Sequence, residues 1–439
     1  MSPHNGSICP TFVLKHASVT DMGMRRTNNQ DAMAVIVTDD VATWASRGHL
    51  LMVADGMGAH AAGELASKLA VDNIPHTYFK LRDLYPPAAL RQAIRDANTA
   101  IHNKGQSSIG FQGMGTTCSC LVLLPQGALV AHIGDSRVYR LHGQVLEQLT
   151  FDHSLVWEMA AAGQMAQEDV PAYIPKNVIT RSLGPHSTVH VDLEGPYNAA
   201  PGDVFLLCSD GLSGPISDEE LGAILQCLPP DEAVETLVDL ANLRGGPDNV
   251  TCLVVRVTEE LSPRTAEAEQ PAERTEEDKL PPPPPPIHPI VWGLTFTALV
   301  CGLIFAAMEQ WIGAGIAGAV MIVGVAFMLV RGWGGTTREG GSDQRAFGRG
   351  PYRSYDCRPN ADAVSSLTDL WAELKITAIE NGWDIAWGEI DELARSAHQA
   401  RQEGDYCTAI VKHAAAARRL MKQIRQQRRS PLTDSRIGL

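Results

Sequence analysis

The feature that most constrains this chain is a recurrent one: apolar runs of strand length that end on, or begin beside, a carboxylate. Residues 50–56 read LLMVADG and residues 204–211 read VFLLCSDG, each run closing on an Asp-Gly pair, Asp55-Gly56 and Asp210-Gly211. Asp248 opens the β-branched stretch DNVTCLVV, Asp135 lies between two strand-like runs in AHIGDSRVYRL, and Asp31 precedes AMAVIV. Each has an ordinary use when taken alone. Asp-Gly is a turn dipeptide, Asp31 can cap a turn, Asp135 can fix a hairpin or pair with Arg137, and Asp248 can start a turn. Five carboxylates at the ends of apolar strands are nevertheless costly unless something shared neutralises them. A hard divalent cation does so. Mg²⁺ and Mn²⁺ take oxygen ligands and need neither His nor Cys.

In chain order, RRTNNQDA, VADGMGAHAAGE, GMGTT, AHIGDSRVYRL, NVITRSLG, LLCSDGLSGPISDEEL and GGPDNVTCLVV resemble the motif series of the metal-dependent serine/threonine phosphatases of the protein phosphatase 2C type, in their bacterial form. The resemblance spans residues 11 to about 257. It implies an α+β fold, a four-layer α/β/β/α sandwich of two antiparallel sheets with the metal cleft at one end. Periodicity by itself supports only mixed α and β, with helix-like stretches at 65–80, 88–104 and 231–243 between strand runs.

The resemblance also assigns roles. Asp55 matches the aspartate that bridges two ions and Gly56 the glycine whose carbonyl binds one of them. Asp210 and Asp248 match further direct ligands, and Asp31 with Gln30 the pair that holds metal-bound water. Asp135, with Asp210, matches the site of a third ion in bacterial members. Arg26 matches the arginine that grips the substrate phosphate. The implied cofactor is Mn²⁺ or Mg²⁺, two ions with room for a third, and Arg26, Asp55 and Asp210 form the implied catalytic set. The implied reaction is direct attack of a metal-bridging hydroxide on phosphoserine or phosphothreonine, without a covalent enzyme intermediate. Two positions depart from the pattern. Gln30 stands where Glu is frequent, and Met57 occupies the position of the histidine that eukaryotic members place after Asp-Gly. His60 nearby and a metal-bound water both remain open as proton donor to the leaving group. His132 and His153 read as structural hydrogen-bonding residues.

The net charge of −14 over 439 residues argues against a nucleic-acid binder. Nine cysteines, scattered and mostly inside strand-like runs, predict reduced buried thiols, and MSPHNGSICP lacks the layout of a signal peptide. The expected organisation is a phosphatase domain over 1–258, a Glu/Pro-rich spacer over 259–289, membrane helices over 290–308 and 311–330, a flexible Arg/Gly-rich linker over 331–361 and a small helical domain over 362–430. Arginines at 331, 338, 345, 349, 353 and 358 put both flanks of the hairpin in the cytoplasm. The expected location is therefore the cytoplasmic (inner) membrane, with the phosphatase domain and tail on the cytoplasmic side. The terminal helices, with Leu367, Leu370, Trp371 and Leu374 on one stripe and Ile390, Leu393, Ala394 and Ala397 on another, are expected to bind a protein partner. Expected substrates are phosphoserine and phosphothreonine proteins, including serine/threonine kinases and their targets. The alternative is a catalytically silent membrane-anchored sensor or scaffold.

Overall fold

The computed structural model describes residues 14–59, 61–163, 178–258, 347–380 and 382–429. Two six-stranded antiparallel sheets carry the fold. The first has strand order β1 (Leu14–Asp21), β11 (Val250–Val257), β10 (Val204–Cys208), β7 (Arg137–His142), β8 (Val145–Gln148) and β12 (Arg353–Asp356). The second runs β2 (Asp31–Ile36), β3 (His49–Met57), β5 (Cys118–Leu124), β6 (Gly127–Ile133) and β9 (Asp192–Tyr197), with the short β4 (Gly115–Thr116) beside the end of β3.

Strand alternation builds the layers. On β3, Leu51 and Val53 enter the core between the sheets, where they meet Leu121 and Leu123 of β5 and Phe205 and Leu207 of β10. Leu50, Met52 and Ala54 point the other way, onto α2 (Ala62–Lys80) and α3 (Pro86–Gln106). On β10, Val204, Leu206 and Cys208 likewise face α6 (Asp218–Cys227) and α7 (Pro230–Leu243). Both faces of these strands are buried, which is why their sequences read as unbroken apolar runs. The helix–sheet–sheet–helix layering agrees with the fold implied by the resemblance. Short helices α1 (Val41–Arg47), α4 (Leu155–Ala161) and α5 (Asp210–Ser213) complete this part of the chain.

The C-terminal part departs from the expected organisation. Helices α8 (Ala361–Glu380), α9 (Trp387–Gln402) and α10 (Tyr406–Arg429) share one core with α6 and α7. Leu367, Leu370, Trp371 and Leu374 are buried as their spacing predicts, but against the phosphatase helices and one another. A pair of helices cannot cover its own apolar stripe, and α6 and α7 offer the nearest apolar face. The expected flexible linker also contains order: β12 extends the first sheet by pairing with β8, and Gly350 and Tyr352 donate to the Glu194 carboxylate. The reading of all cysteines as reduced thiols is corrected too, because Cys227 at the end of α6 is disulfide-bonded to Cys407 at the start of α10, whereas Cys118, Cys120, Cys208, Cys252 and Cys357 are buried free thiols. The expected spacer and membrane hairpin, 259–330, lie outside the described residues, as does 331–346 of the linker. Among the described residues, no helix is long and apolar enough to cross a membrane.

Candidate metal centre

The register of the second sheet sets Asp31 directly opposite Asp55 on neighbouring strands. Three hydrogen bonds fix the Asp55 backbone: its N–H donates to Thr117 Oγ1 at 2.8 Å, and its carbonyl accepts from Thr117 N at 2.8 Å and from Thr116 Oγ1 at 2.9 Å. Gly56 follows because nothing larger fits. A Cβ there would stand 2.1 Å from the Gly63 carbonyl oxygen and 2.6 Å from that of Gln30.

Asp210 reaches the same place from the other sheet, at the first turn of α5 just past β10. Gly211 lets this turn lie against the strand entering β11, for a Cβ would meet the Asn249 carbonyl oxygen at 2.0 Å. Asp248, immediately before that strand, accepts from Asn249 N at 2.8 Å through Oδ1 and from Arg26 Nη2 at 2.7 Å through Oδ2. Asp135 lies in the turn between β6 and β7. Arg137 serves the Asp152 carboxylate, at 2.8 Å, and that of Asp218, at 3.6 Å, so the expected option of an Asp135–Arg137 ion pair is not the one adopted.

These carboxylates disfavour one another's charge. Burial pushes Asp31 up to about 7 against the opposing hydrogen bonds of Thr251 and Ser209, and the charges of Asp210 and Asp248 add to it. Burial holds Asp55 well above the ordinary carboxylate range, reinforced by Asp31, Asp210, Asp135 and Asp248. Asp135 is pushed to about 8 by burial and then by Asp210 and Asp152. Asp210 is raised by burial and by Asp248, while a side-chain hydrogen bond with Asp55 acts the other way.

Asp31 Oδ1, Asp135 Oδ1 and Asp210 Oδ1 are buried without a hydrogen-bond partner. Such atoms are costly in a folded protein unless a cation or ordered water meets them. Among the described residues, no group of three or more His, Cys, Asp or Glu side chains is gathered closely enough to hold a metal ion by itself. An open oxygen set fits Mg²⁺ and Mn²⁺, which keep several waters and accept backbone carbonyls, and it does not fit a structural zinc ion. The donor set therefore fits the implied metal.

The sequence reading missed the residues that hold this set in place. Ser209 Oγ and Thr251 Oγ1 each donate to Asp31 Oδ2 at 2.7 Å. Asn249 Nδ2 donates to the carbonyls of Met22 and Asn28, and its Oδ1 accepts from Gln30 N at 2.8 Å, closing the loop that carries Arg26. All three lie inside the motifs SDG and DNVT, where a polar residue in an otherwise apolar run was the available signal. Gln30 Nε2 reaches the Gly58 carbonyl at 3.4 Å, Met57 pairs in register with Gly115, and His60 lies outside the described residues. His132 and His153 are structural, as expected. They stack with ring centroids 4.9 Å apart, His132 Nδ1 lies 3.0 Å from Ser119 Oγ, and His153 Nδ1 accepts from Gly134 N. Burial and His153 lower His132 to about 3, which keeps it neutral.

Residues 24–241 match the family profile of protein phosphatase 2C. Protein phosphatase PhpP of Streptococcus pneumoniae is 38% identical over 251 residues, which are 55% of this chain and 97% of the relative. Serine/threonine protein phosphatase PstP of Mycobacterium tuberculosis is 36% identical over 253 residues, 57% of this chain and 46% of the relative. The solved structure of the S. agalactiae serine/threonine phosphatase covers 56% of this chain and 100% of its own at 32% identity, with a TM-score of 0.50. With the ordered motifs, the two-sheet sandwich and the acidic oxygen set at its edge, these matches place the chain: it belongs to the protein phosphatase 2C family, the metal-dependent serine/threonine protein phosphatases.

Proposed function

We propose that the protein releases phosphate from phosphoserine and phosphothreonine side chains of proteins in the cleft formed by Asp31, Asp55, Asp135, Asp210 and Asp248. The single observation that carries this reading is the trio of buried, unpartnered carboxylate oxygens on Asp31, Asp135 and Asp210. Divalent ions bound there supply activation of water and neutralisation of the phosphoryl oxygens. Asp55, Asp210, Asp248 and the Gly56 carbonyl would hold them, Asp31 and Gln30 would orient water beside them, and Asp135 with Asp210 would serve a third position. Arg26 presents its guanidinium to the substrate phosphate. Its present partner is Asp248, on an exposed ion pair that exchanges readily for a phosphate.

The substrates include serine/threonine kinases and their targets at the cytoplasmic face of the membrane. The charge-free run at 290–308, the run at 311–330 and the arginines after them support attachment as a hairpin that leaves the phosphatase in the cytoplasm. The test is hydrolysis of a phosphothreonine peptide by the full chain with Mn²⁺ and with EDTA, beside Asp210→Ala. Metal-dependent turnover that disappears in the variant supports the reading. Folded protein that binds Mn²⁺ yet releases no phosphate would leave the silent scaffold in its place.

A further inference from the structure

Helix α10 does more than cover apolar surface. Arg418 pins it to α7, donating to the Glu232 carboxylate at 2.6 Å and to the Glu232 carbonyl and Thr236 Oγ1 at 3.2 Å. Two turns on, Arg425 spans two acidic residues, Asp239 of α7 at 2.8 Å and Asp21 at 3.2 Å. Asp21 is the last residue of β1, where the chain leaves the sheet for the loop that carries Arg26.

The Asp21 carboxylate is divided between the helix and that loop. Oδ2 faces Arg425, while Oδ1 accepts from Gly23 N at 2.9 Å and from Asn242 Nδ2 at 3.1 Å. Gly23 has φ +79°, and a Cβ on it would stand 2.1 Å from the Asp248 carbonyl oxygen, so the loop turns here in direct contact with the residue that pairs with Arg26. The next two residues are fastened as well: Met24 N and Arg25 N both donate to the Gly246 carbonyl. Met24 packs against the core that the C-terminal helices share with α6 and α7, and it borders a cavity of about 310 Å³ that Leu374, Trp383, Met421 and Ile424 also line. The C-terminal helices thus hold the loop by an ionic contact at Asp21 and an apolar one at Met24, on either side of the Gly23 turn.

From this geometry we infer that the C-terminal helices are a built-in positioning element of the phosphatase: Arg425, acting through Asp21, sets the loop that presents Arg26 to the substrate phosphate. The inference rests on the assignment of Arg26 as the phosphate-binding residue. Arg425 touches neither substrate nor metal ligand and is a positioning residue. Its removal should therefore weaken phosphate recognition and spare the metal chemistry.

The experiment compares full-length wild type, Arg425→Ala, Arg425→Lys, Asp21→Asn, Arg26→Ala and the Arg26→Ala/Arg425→Ala double variant on a phosphothreonine peptide in saturating Mn²⁺. Inorganic phosphate serves as competitive inhibitor, and Mn²⁺ affinity and melting temperature are measured in parallel. Arg425→Ala is expected to raise KM and the phosphate inhibition constant together by about 3- to 10-fold, with kcat within about twofold. Mn²⁺ affinity should not change. Asp21→Asn should move in the same direction, Arg425→Lys should recover part of the loss, and Arg425→Ala should add nothing further once Arg26 is absent. A lowered melting temperature with unchanged KM in Arg425→Ala overturns the inference, because it shows a purely structural contact. Equal effects of Arg425→Ala with and without Arg26 overturn it as well. An unchanged KM in Arg26→Ala instead removes the assignment of Arg26, and the inference with it.

Discussion

Asp31 and Asp55 stand directly opposite each other on β2 and β3, two carboxylates that burial raises alike, with the Asp31 charge raising Asp55 further and the charges of Asp210 and Asp248 adding to both. Each raised group stabilises the metal-free fold fully below its ordinary value near 3.8, and that contribution is lost as pH rises through about 7 for Asp31 and about 8 for Asp135. Bound cations reverse the penalty. The gain in melting temperature on adding Mn²⁺ is therefore expected to be larger at pH 8 than at pH 5. Asp55→Asn should split the two properties, raising the stability of the metal-free protein by about 1–3 kcal/mol while lowering turnover at least ~100-fold. Melting curves in EDTA and in Mn²⁺, beside peptide hydrolysis, check both signs. A variant that loses stability in EDTA would show that repulsion is not what Asp55 experiences.

Asp31 Oδ2 accepts hydrogen bonds from the hydroxyls of Ser209 and Thr251. Thr251→Val keeps the shape of the side chain and removes one of them. The Asp31 carboxylate should become still harder to ionise and less well oriented, and Mn²⁺ affinity should fall by about 10-fold. Calorimetric titration with Mn²⁺ reads this directly. Unchanged affinity would confine Thr251 to packing between the sheets.

How much of this was legible in the sequence differs by element. The runs LLMVA and VFLLC gave away doubly buried strands, and the acid at the end of each gave away the cleft, because an Asp beside so much apolar surface needs a reason. Ser209, just past VFLLC, and Thr251, in the run that follows Asp248, stood out only as polar residues beside apolar ones, and a hydroxyl in that setting is ordinary until its partner is known. The helical stripes at Leu367–Leu374 and Ile390–Ala397 revealed that a partner surface existed, but not that it belonged to the same chain. That information is non-local: Arg425 and Asp21 are 404 residues apart, and Cys227 and Cys407 are 180 apart. The strand RSYD escaped notice because it is a four-residue edge strand of half-exposed polar residues, with no apolar face to announce it.

The Cys227–Cys407 bond closes a long loop and ties α6 to the helices that hold the Arg26 loop. In the chain-entropy view, a cross-link of that span constrains the unfolded chain by up to about 5 kcal/mol. Under non-reducing conditions Cys407→Ser should melt lower than wild type, and the difference should vanish when both are measured in reductant. Thiol titration of the denatured protein should find two more reactive groups after reduction than before. Equal thiol counts would mean that the pair is not oxidised in the purified protein.

Asp239 offers a pH signature for the docked helix. It is buried beneath Arg425, and burial pushes it up to about 7 even though the Arg425 charge and hydrogen bond oppose the shift, with Asp21 and Glu235 adding repulsion. Its contribution to stability is complete below the ordinary value of 3.8 and is lost as pH rises through about 7. The advantage of wild type over Asp239→Asn in melting temperature should therefore shrink steadily from pH 5 to pH 8. Saturating Mn²⁺ keeps the acidic cleft from contributing its own titration. An advantage that instead grew with pH would mean that the Arg425 ion pair outweighs burial, which places the normal working state of Asp239 as a charged anchor for α10. Parallel melting curves at every pH would show that Asp239 does not titrate in this range and would leave the pH dependence of the protein to the carboxylates of the cleft.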